Sequence, residues 1–493
     1  MAIKRYYASE DNTLTNAFEE NLITRGTGSN MGASDILEAF VIHGQTSASI
    51  DATNAEQSRI IIRFPVDSII NDISAGIIPS SSVDFRLKLF NAPHGNSLPL
   101  SYSLDIHTIS ASWSEGTGLD MDNYTDLGAS NWVSASATTA WVREGGDFFT
   151  DTANKTSYFF SGGAEDLDVD ISSAVTKWRS GENKNYGLLI KNTDAAISGT
   201  LGTFYTKKFF GRTSEYFFKR PYIEAQWDSA RQDDRATAYR SSSLAPAADN
   251  INTVFLYNTI RGQLKDIPNL AGDSQNILVS FYSASVSGVP TGSRIEVINS
   301  DGTSVTNITG GLLIENGSNI TGTYSASFGY TSSYTTLHDV WHSSSVEFFT
   351  GSITTLAQDA QIVVHEDEYV TQITNLKPSY IKGQKPVLRV YVRDKNWQPN
   401  VYNVVNTAVT PSIIENGFYR IIRTVDNLEV VPFGTGSTEY TKLSYDVSGN
   451  YFELDSTLLE SGFSYNIQFL YYINGTYQQQ DENFKFRIDE SGT

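Results

Sequence analysis

The sequence predicts an all-β protein built from β-sandwiches, and two observations support this prediction. Short apolar runs rich in Ile, Val, Phe and Tyr recur along the chain between clusters of Gly, Asn, Ser and Pro, which is typical of strands joined by turns. Charged residues make up 18% of the 493 residues and aromatic residues 12%, while hydrophobic residues reach 40%. That hydrophobic content is enough to fill packed cores, so the composition argues against a disordered chain.

The clearest strand is the run from Arg59 to Pro65. Three consecutive isoleucines, Ile60 to Ile62, are followed shortly by a proline that cannot donate to a continuing strand ladder. We therefore predict a buried central strand here. A second strand is predicted at residues 221–227, where Tyr, Glu and Gln alternate with Ile, Ala and Trp.

Further elements are predicted between these two strands. The helix at 172–179 places Ala174, Val175 and Trp178 on one face, and Ser172 or Ser173 can cap it. The predicted strands, most of which alternate apolar and polar residues, lie at 35–43, 82–90, 101–109, 166–171 and 187–190.

The chain is predicted to contain three domains. The first covers 1–228, and a charged and then Ser- and Ala-rich stretch at 229–250 is predicted to be a linker. The second domain, 251–369, has the strand and turn spacing of an immunoglobulin-like sandwich without its disulfide. The third domain, 370–493, also has a sequence rich in predicted strands, which is typical of a sandwich.

Bulk charge limits the classes of partner. The formal net charge is −20, from 35 basic and 55 acidic residues, so we expect no nucleic-acid partner. The sequence has no cysteine, which excludes disulfides and thiolate metal sites. No apolar run approaches the length of a membrane span, and the N-terminal residues lack the apolar core of a signal peptide. We therefore expect no membrane partner. The protein is expected to be made in a cytoplasm and released by lysis, or to be exported by a route that needs no signal peptide.

A series of motifs follows a fixed order over residues 4–228. They are the turn at 28–32, the strand at 59–64, Trp113-Ser114-Glu115-Gly116, Trp141 with Gly145-Gly146-Asp147, Asp170-Ile171 with Trp178, Asn185-Tyr186-Gly187-Leu188, and Pro221-Tyr222-Ile223. In this order of motifs the region resembles the DNRLRE-type jelly-roll domains, which are similar to carbohydrate-binding modules. The resemblance implies that the first domain is a jelly roll, and its departures are the missing signal peptide and the long C-terminal extension.

Five stretches of the sequence carry a second resemblance. They are the opening Met-Ala-Ile-Lys-Arg-Tyr-Tyr-Ala, the turn at 28–35, and the stretches at 204–210, 217–221 and 241–248. With these stretches and its whole layout, the chain resembles virion structural proteins of marine tailed bacteriophages, including those of cyanobacteria. The resemblance implies a particle component, located in the virion, whose partners are other virion proteins and copies of itself.

Four carboxylates in one loop could hold a calcium ion. Oxygen ligands at two- and four-residue spacing suit Ca²⁺, but the loop lacks the spacing of a defined calcium motif. A solvated acidic loop is the alternative. The residues are Glu115, Asp120, Asp122 and Asp126.

The segment from His338 to His342 places two imidazoles four residues apart. On a helix they would share a face and could bind zinc, but the motif requires Glu after the first histidine and the chain has Asp339. Strand-rich surroundings argue against the helix. No metal or cofactor is therefore predicted.

Tryptophans and basic residues give two further candidates. Trp113, Trp132, Trp141 and Trp178 could form an aromatic platform for a sugar, with packing in the core as the alternative. Two basic pairs, Lys207-Lys208 and Lys219-Arg220, could contact an acidic partner subunit or form a solvated face.

Enzymatic motifs are missing from the sequence. There is neither a Gly-x-Ser-x-Gly elbow nor a phosphate-binding Gly-Lys-Thr loop, so no catalytic residue is predicted. The predicted function is that of a non-catalytic virion structural protein acting through assembly contacts in capsid, neck, tail or fibre. The alternatives are an adhesin that binds host-surface glycan and a glycan depolymerase, although the short repeat expected of a depolymerase is not found.

Overall fold

The computed structural model describes residues 2–43, 55–95, 100–120, 125–198, 204–268, 270, 272, 275–357, 368–397 and 411–490. The chain divides into two compact units, Ile3–Trp227 and the residues from Asp228 onward. It is all-β, with an N-terminal jelly-roll sandwich followed by two immunoglobulin-like sandwiches, so the predicted fold class is confirmed. Among the described residues, no helix is both long and apolar enough to cross a membrane.

The first unit contains strands β1–β13 and helices α1–α3. In chain order they are β1 (Ile3–Tyr7), β2 (Glu10–Thr15), β3 (Ile36–Ile42), β4 (Glu56–Arg63), α1 (Val66–Ser74), β5 (Asp84–Leu89), β6 (Tyr102–Thr108), β7 (Ser134–Ser136), β8 (Thr139–Ala140), β9 (Lys155–Phe160), β10 (Leu167–Asp170), α2 (Ser172–Ser180), β11 (Leu188–Asn192), α3 (Asp194–Ile197), β12 (Phe204–Phe210) and β13 (Tyr222–Gln226), with 3-10 turns at Thr152–Asn154 and Phe217–Lys219.

In the described part of this unit, two antiparallel sheets form the sandwich, and β7 and β8 form a separate two-stranded sheet. The smaller has the order β1-β13-β5-β10, and the larger has the order β12-β3-β4-β11-β6-β9, with β2 also paired to β4. Strand β4 is central because Ile60, Ile61 and Ile62 pair with β11 on one edge and with β2 on the other. All three isoleucines are fully buried. The strand predicted at 221–227 is β13, which lies in the smaller sheet between β1 and β5.

The helices of this unit differ from the sequence prediction in two details. The prediction allowed a single helix here, but α1 begins directly after Pro65 and buries Val66 and Ile69. Proline stops the strand and its fixed φ suits the start of a helix, a signal that the strand assignment overlooked. The predicted helix α2 is present and buries Val175 and Trp178, but neither predicted serine caps it, because the N-cap residue is Ile171.

The second unit contains strands β14–β37. In chain order they are β14 (Ala238–Tyr239), β15 (Asn252–Tyr257), β16 (Thr259–Ile260), β17 (Gln263–Leu264), β18 (Ile277–Tyr282), β19 (Ala284–Val286), β20 (Val289–Thr291), β21 (Val297–Ile298), β22 (Ser304–Val305), β23 (Ile308–Glu315), β24 (Ser318–Phe328), β25 (Thr336–Ser343), β26 (Val346–Thr350), β27 (Ile353–Leu356), β28 (Tyr369–Ile373), β29 (Ser379–Ile381), β30 (Val387–Asp394), β31 (Gly417–Arg423), β32 (Glu429–Val431), β33 (Ser444–Asp446), β34 (Gly449–Glu453), β35 (Ser464–Ile473), β36 (Thr476–Gln479) and β37 (Phe484–Asp489), with 3-10 turns at Ala248–Asn250 and Ser456–Leu458.

Three larger sheets dominate the second unit. One has the order β14-β27-β25-β18-β23-β24-β15, with β26 paired to β25, and it surrounds a core that includes Trp341, Phe281 and Phe328. The other two have the orders β28-β30-β34-β33 and β29-β37-β35-β31-β32. Between them Tyr419 stacks on Phe452, with ring centroids 4.3 Å apart.

The segment predicted as a linker, 229–250, takes part in the structure of the second unit. Its strand β14 pairs in parallel with β27. Arg231 forms a two-point ion pair with Glu315 at 2.6 and 2.7 Å, and its backbone N–H donates to the hydroxyl of Ser444. The hydroxyl of Tyr239 donates to Glu415 at 2.9 Å. The segment therefore bonds to strands from both the 252–356 and the 411–453 regions.

Candidate functional site

The acidic loop, for which calcium binding was one of two alternatives, does not bring its described carboxylates together. Glu115 accepts hydrogen bonds from the guanidinium of Arg212, at 2.9 Å from Nη2, and from the backbone N–H of Asp11 at 2.8 Å. Asp126 instead closes a local turn by accepting from the backbone N–H groups of Thr117 and Gly128. Asp122 lies outside the described residues. Within the described residues, no three acidic or histidine side chains form a metal-binding group.

Glu115 belongs instead to a partly buried polar cluster that includes the fully buried Asp11. The backbone N–H of Arg212 donates to Oδ2 of Asp11 at 2.6 Å, whereas Oδ1 of Asp11 is buried without a hydrogen-bond partner. Burial raises the pKa of Asp11 to about 7; the Arg212 N–H opposes this rise and the charge of Glu115 adds to it. The sequence of β2 contains nothing that marks Asp11 as buried, so the cluster could not be predicted from it.

The histidine pair lies on a strand. His338 and His342 are both in β25, so the helical geometry required for the zinc motif is absent. His342 hydrogen-bonds to the hydroxyl of Ser280 at 2.7 Å. Asp339, between them, accepts from Nη2 of Arg235 at 2.9 Å and from the indole N–H of Trp341 at 2.8 Å. These polar groups hold the core of the sandwich together.

The four candidate tryptophans are buried, with exposed fractions of 4 to 7%. The indole of Trp113 donates to the carbonyl of Tyr186 at 2.7 Å, and that of Trp141 donates to the carbonyl of Asn131 at 2.8 Å. The ring of Trp132 lies under the guanidinium of Arg59, 4.8 Å from its centre. An exposed sugar platform made of these side chains is therefore excluded, and the alternative of packing in the core describes them.

The two basic pairs are dispersed. Lys207 is 1% exposed and cannot contact a partner subunit as it stands. Lys208 lies 3.4 Å from the carboxylate of Glu38. Lys219 extends over the rings of Phe210 and Tyr216, and Arg220 donates to the carbonyl of Ser214 at 2.7 Å.

A groove of about 610 Å³ lies on the larger sheet of the first unit. Strand β3 supplies Glu38 and Phe40 to its floor, because alternate residues of a strand point to the same face. Lys208 from the neighbouring β12 lies beside Glu38. The full lining is Thr15, Ala17, Met31, Ser34, Ile36, Glu38, Phe40, Ala92, Pro93, His94, Leu119, Asp120 and Lys208.

The groove contains charged side chains of both signs. Glu38 interacts with Lys208 and also accepts from the hydroxyl of Thr206. Burial lowers the pKa of His94; Lys208 lowers it further, while Glu38 opposes the shift. Lining of this kind, with apolar side chains and a few converging polar groups, is typical of a ligand-binding groove. The groove brings together Asp120 of the acidic loop and Lys208 of a basic pair, which sequence reasoning had treated as separate candidates.

Comparison with known proteins gives little beyond the fold. No family model and no curated protein matches the chain. Solved structures to which it is similar include tandem Ig repeats of Dlar, at 7% identity over 54% of this chain and 98% of that chain, with a TM-score of 0.13. A marsupial T cell receptor gives 8% identity over 51% and 70%, with a TM-score of 0.16. The chicken CNTN1 FN1-FN3 domains give 12% over 61% and 87%, with a TM-score of 0.14. Scores this low carry no argument about function.

Proposed function

We propose that this chain is a structural component of a tailed bacteriophage particle, made in the host cytoplasm and acting through protein–protein contacts without catalysing a reaction. The proposal draws on the resemblance in layout and on one structural feature. That feature is the hairpin of β19 and β20, which forms a two-stranded sheet of its own in the second unit.

The tip of this hairpin presents apolar side chains to solvent. Val286 and Val289 are paired across it and are 65% and 63% exposed. The turn between them has positive φ at both Ser287 and Gly288, the pattern of a tight hairpin turn whose twist matches the strands. Adjacent exposed valines at the tip of a hairpin are a natural contact for another subunit, because burying them removes apolar surface from water.

Particle composition tests the proposal directly. Mass spectrometry of purified particles should find the chain in stoichiometric amounts, and its absence from them would overturn the proposal. Replacing both Val286 and Val289 by Asp should strongly reduce its incorporation while leaving the isolated protein folded. Val425→Asp is the matched control, since Val425 is 72% exposed outside the hairpin. Equal incorporation of all three proteins would exclude the hairpin as the contact.

A second candidate function is binding of a host-surface glycan, and the groove on the larger sheet favours it. Glu38, Asp120 and Lys208 offer charged hydrogen-bonding groups to hydroxyls, beside the apolar surface of Phe40. Measurable affinity for a host saccharide that falls in Glu38→Gln and in Lys208→Ala would support this function. A blank glycan array with the folded protein would count against it. Trp113→Ala and Trp132→Ala are poor tests, because both rings are buried and their removal disturbs the fold.

A further inference from the structure

The most unusual buried group of the first unit is the ammonium of Lys207. It is sealed from solvent, and it donates to the side-chain oxygen of Asn91 at 2.7 Å and to the carbonyls of Gly163 and Glu165 at 2.9 and 2.7 Å. The rings of Phe160 and Phe209, both fully buried, lie 5.0 and 5.2 Å from it. A lysine so enclosed is rare, because burying an ammonium costs free energy.

Strand geometry explains why Lys207 meets Asn91. The segment Phe90 to Ala92 runs antiparallel beside the end of β12, with Asn91 opposite Phe209. Residues two apart on a strand share a face, so Lys207 is the diagonal neighbour of Asn91 on that face. The carboxylate of Asp166 accepts from the backbone N–H of Asn91 at 2.7 Å and holds this segment in place.

Both reacting groups required for an amide cross-link are thus in contact. We propose that Lys207 and Asn91 form an intramolecular isopeptide bond in the folded protein. The amine nitrogen of Lys207 attacks Cγ of Asn91, a new C–N bond forms, and the bond from Cγ to the original amide nitrogen breaks. The two protons lost by the lysine nitrogen end on the leaving nitrogen, so an ammonium ion departs and no oxidant or co-reactant is required.

The surroundings favour this step in two ways. Fixed contact between amine and amide replaces a bimolecular encounter, and such positioning contributes large rate factors. Only the neutral amine is nucleophilic, and burial lowers the pKa of Lys207 to about 8, although the charges of Asp166 and Glu165 oppose that shift. A measurable fraction of neutral amine therefore exists near neutral pH.

The cross-link would join the two sheets of the jelly roll. Asn91 follows β5 of the smaller sheet, and Lys207 lies in β12 at the edge of the larger sheet. The chain has no cysteine, so it cannot use a disulfide for this purpose. A covalent link between positions far apart in sequence restricts the unfolded chain and stabilises the fold, as a disulfide does.

Tryptic peptide mapping of the full-length protein tests the proposal. Trypsin should fail to cut after Lys207 and should release a branched peptide in which residues 89–143 are linked to residues 192–208, lighter than the two separate chains by one ammonia. Normal cleavage after Lys207 with no mass loss would overturn the proposal. Loss of ammonia from Asn91 with cleavage after Lys207 would indicate a succinimide and would also overturn it.

Variants supply a matched comparison. Lys207→Arg and Asn91→Ala should both have the full mass expected from their sequences, since neither can form the amide. The control is Lys177→Arg, because Lys177 donates to the side-chain oxygen of Asn154 at 3.0 Å near the surface, 3.9 Å from Glu182. This control should keep the branched peptide. If Lys207→Arg fails to fold, the wild-type digest alone decides the question.

Discussion

Each unit contains a charge cluster with a buried carboxyl group, and the two clusters differ in which carboxylates the guanidinium contacts. In the second unit, Arg235 donates to Asp233 at 2.7 Å and to Asp339 at 2.9 Å, so one guanidinium contacts both carboxylates. In the first unit, the guanidinium of Arg212 contacts Glu115, and Asp11 receives only a backbone N–H from the same residue. Burial therefore acts on carboxyl groups in both clusters, but only in the second unit does one guanidinium contact both carboxylates.

The electrostatic consequences follow the contacts. The pKa of Asp11 rises to about 7, so this carboxyl takes up a proton near neutral pH. Burial raises the pKa of Asp233 as well, but the charge and hydrogen bonds of Arg235 oppose the rise. In the second unit the cation thus opposes the effect of burial on the pKa of Asp233, while in the first unit burial brings the pKa of Asp11 to near neutral pH.

Removing the cation of the second unit should have the largest effect. Arg235→Met leaves Asp233 and Asp339 buried without their partner, which typically costs about 3–5 kcal/mol of unfolding free energy. Hydrogen exchange of peptides from β25 during urea titration would measure the loss. A decrease of less than about 1 kcal/mol in the free energy of unfolding would show that water or a rearrangement replaces the guanidinium. The proposed difference between the two clusters would then be wrong.

Asp11→Asn should have a smaller effect of the opposite sign. In the unfolded chain Asp11 releases its proton near its ordinary pKa of 3.8, whereas the folded protein holds it until about pH 7. The free energy of unfolding therefore decreases as pH rises from about 4 to about 7. The asparagine variant lacks this decrease and should be more stable than the natural protein above pH 7, by up to about 4 kcal/mol for a shift of about three pKa units.

Urea titrations at pH 5 and pH 8, followed by hydrogen exchange of peptides from β2, would measure this difference. Asp126→Asn is the control, because backbone hydrogen bonds from Thr117 and Gly128 lower the pKa of Asp126. That group stabilises the fold above its ordinary pKa and loses its contribution in acid, so its variant should lose stability at both of these pH values. Identical pH profiles for Asp11→Asn and the natural protein would contradict the assignment.

The smallest effect is expected at an exposed ion pair. Arg487 and Asp489 are 3.0 Å apart, with more than two fifths of each side chain exposed. Arg487→Ala should change the free energy of unfolding by less than about 0.5 kcal/mol, because solvent screens such pairs. Thermal unfolding at low and high salt would check this. A large loss would mean that exposure is a poor guide to the strength of ion pairs in this chain.

The fold was largely predictable because β-sheet pattern is local. The isoleucines at 60–62 and the alternation at 83–89 record burial directly in the sequence, and both segments are strands. Contacts between residues far apart in the sequence leave no comparable pattern. Nothing near Asn91 indicates Lys207, which lies 116 positions later along the chain, and nothing near Asp11 indicates Glu115.

The candidate site was less predictable, since a residue type does not reveal its exposure. The tryptophans suggested a sugar platform because aromatic rings serve both ligands and cores, and only tertiary packing distinguishes the two roles. Lys207 was assigned with Lys208 as a basic pair, yet neighbours on a strand point to opposite faces. One side chain therefore enters the core and the other reaches the groove. Because residues alternate between the two faces of a strand, Lys207 is expected on the same face as the apolar Phe209, and this pattern could have indicated that Lys207 is buried.

The pairing of β1 with β13 has a practical consequence. These strands open and close the first unit, and Ile3 lies directly opposite Gln226. Entry and exit points of the unit are consequently only about 5 Å apart, the spacing of paired Cα atoms in a sheet. A domain whose ends are adjacent tolerates insertion into a surface loop of another protein, and it tolerates circular permutation with new termini at a turn. This sandwich is therefore suited to both kinds of engineering.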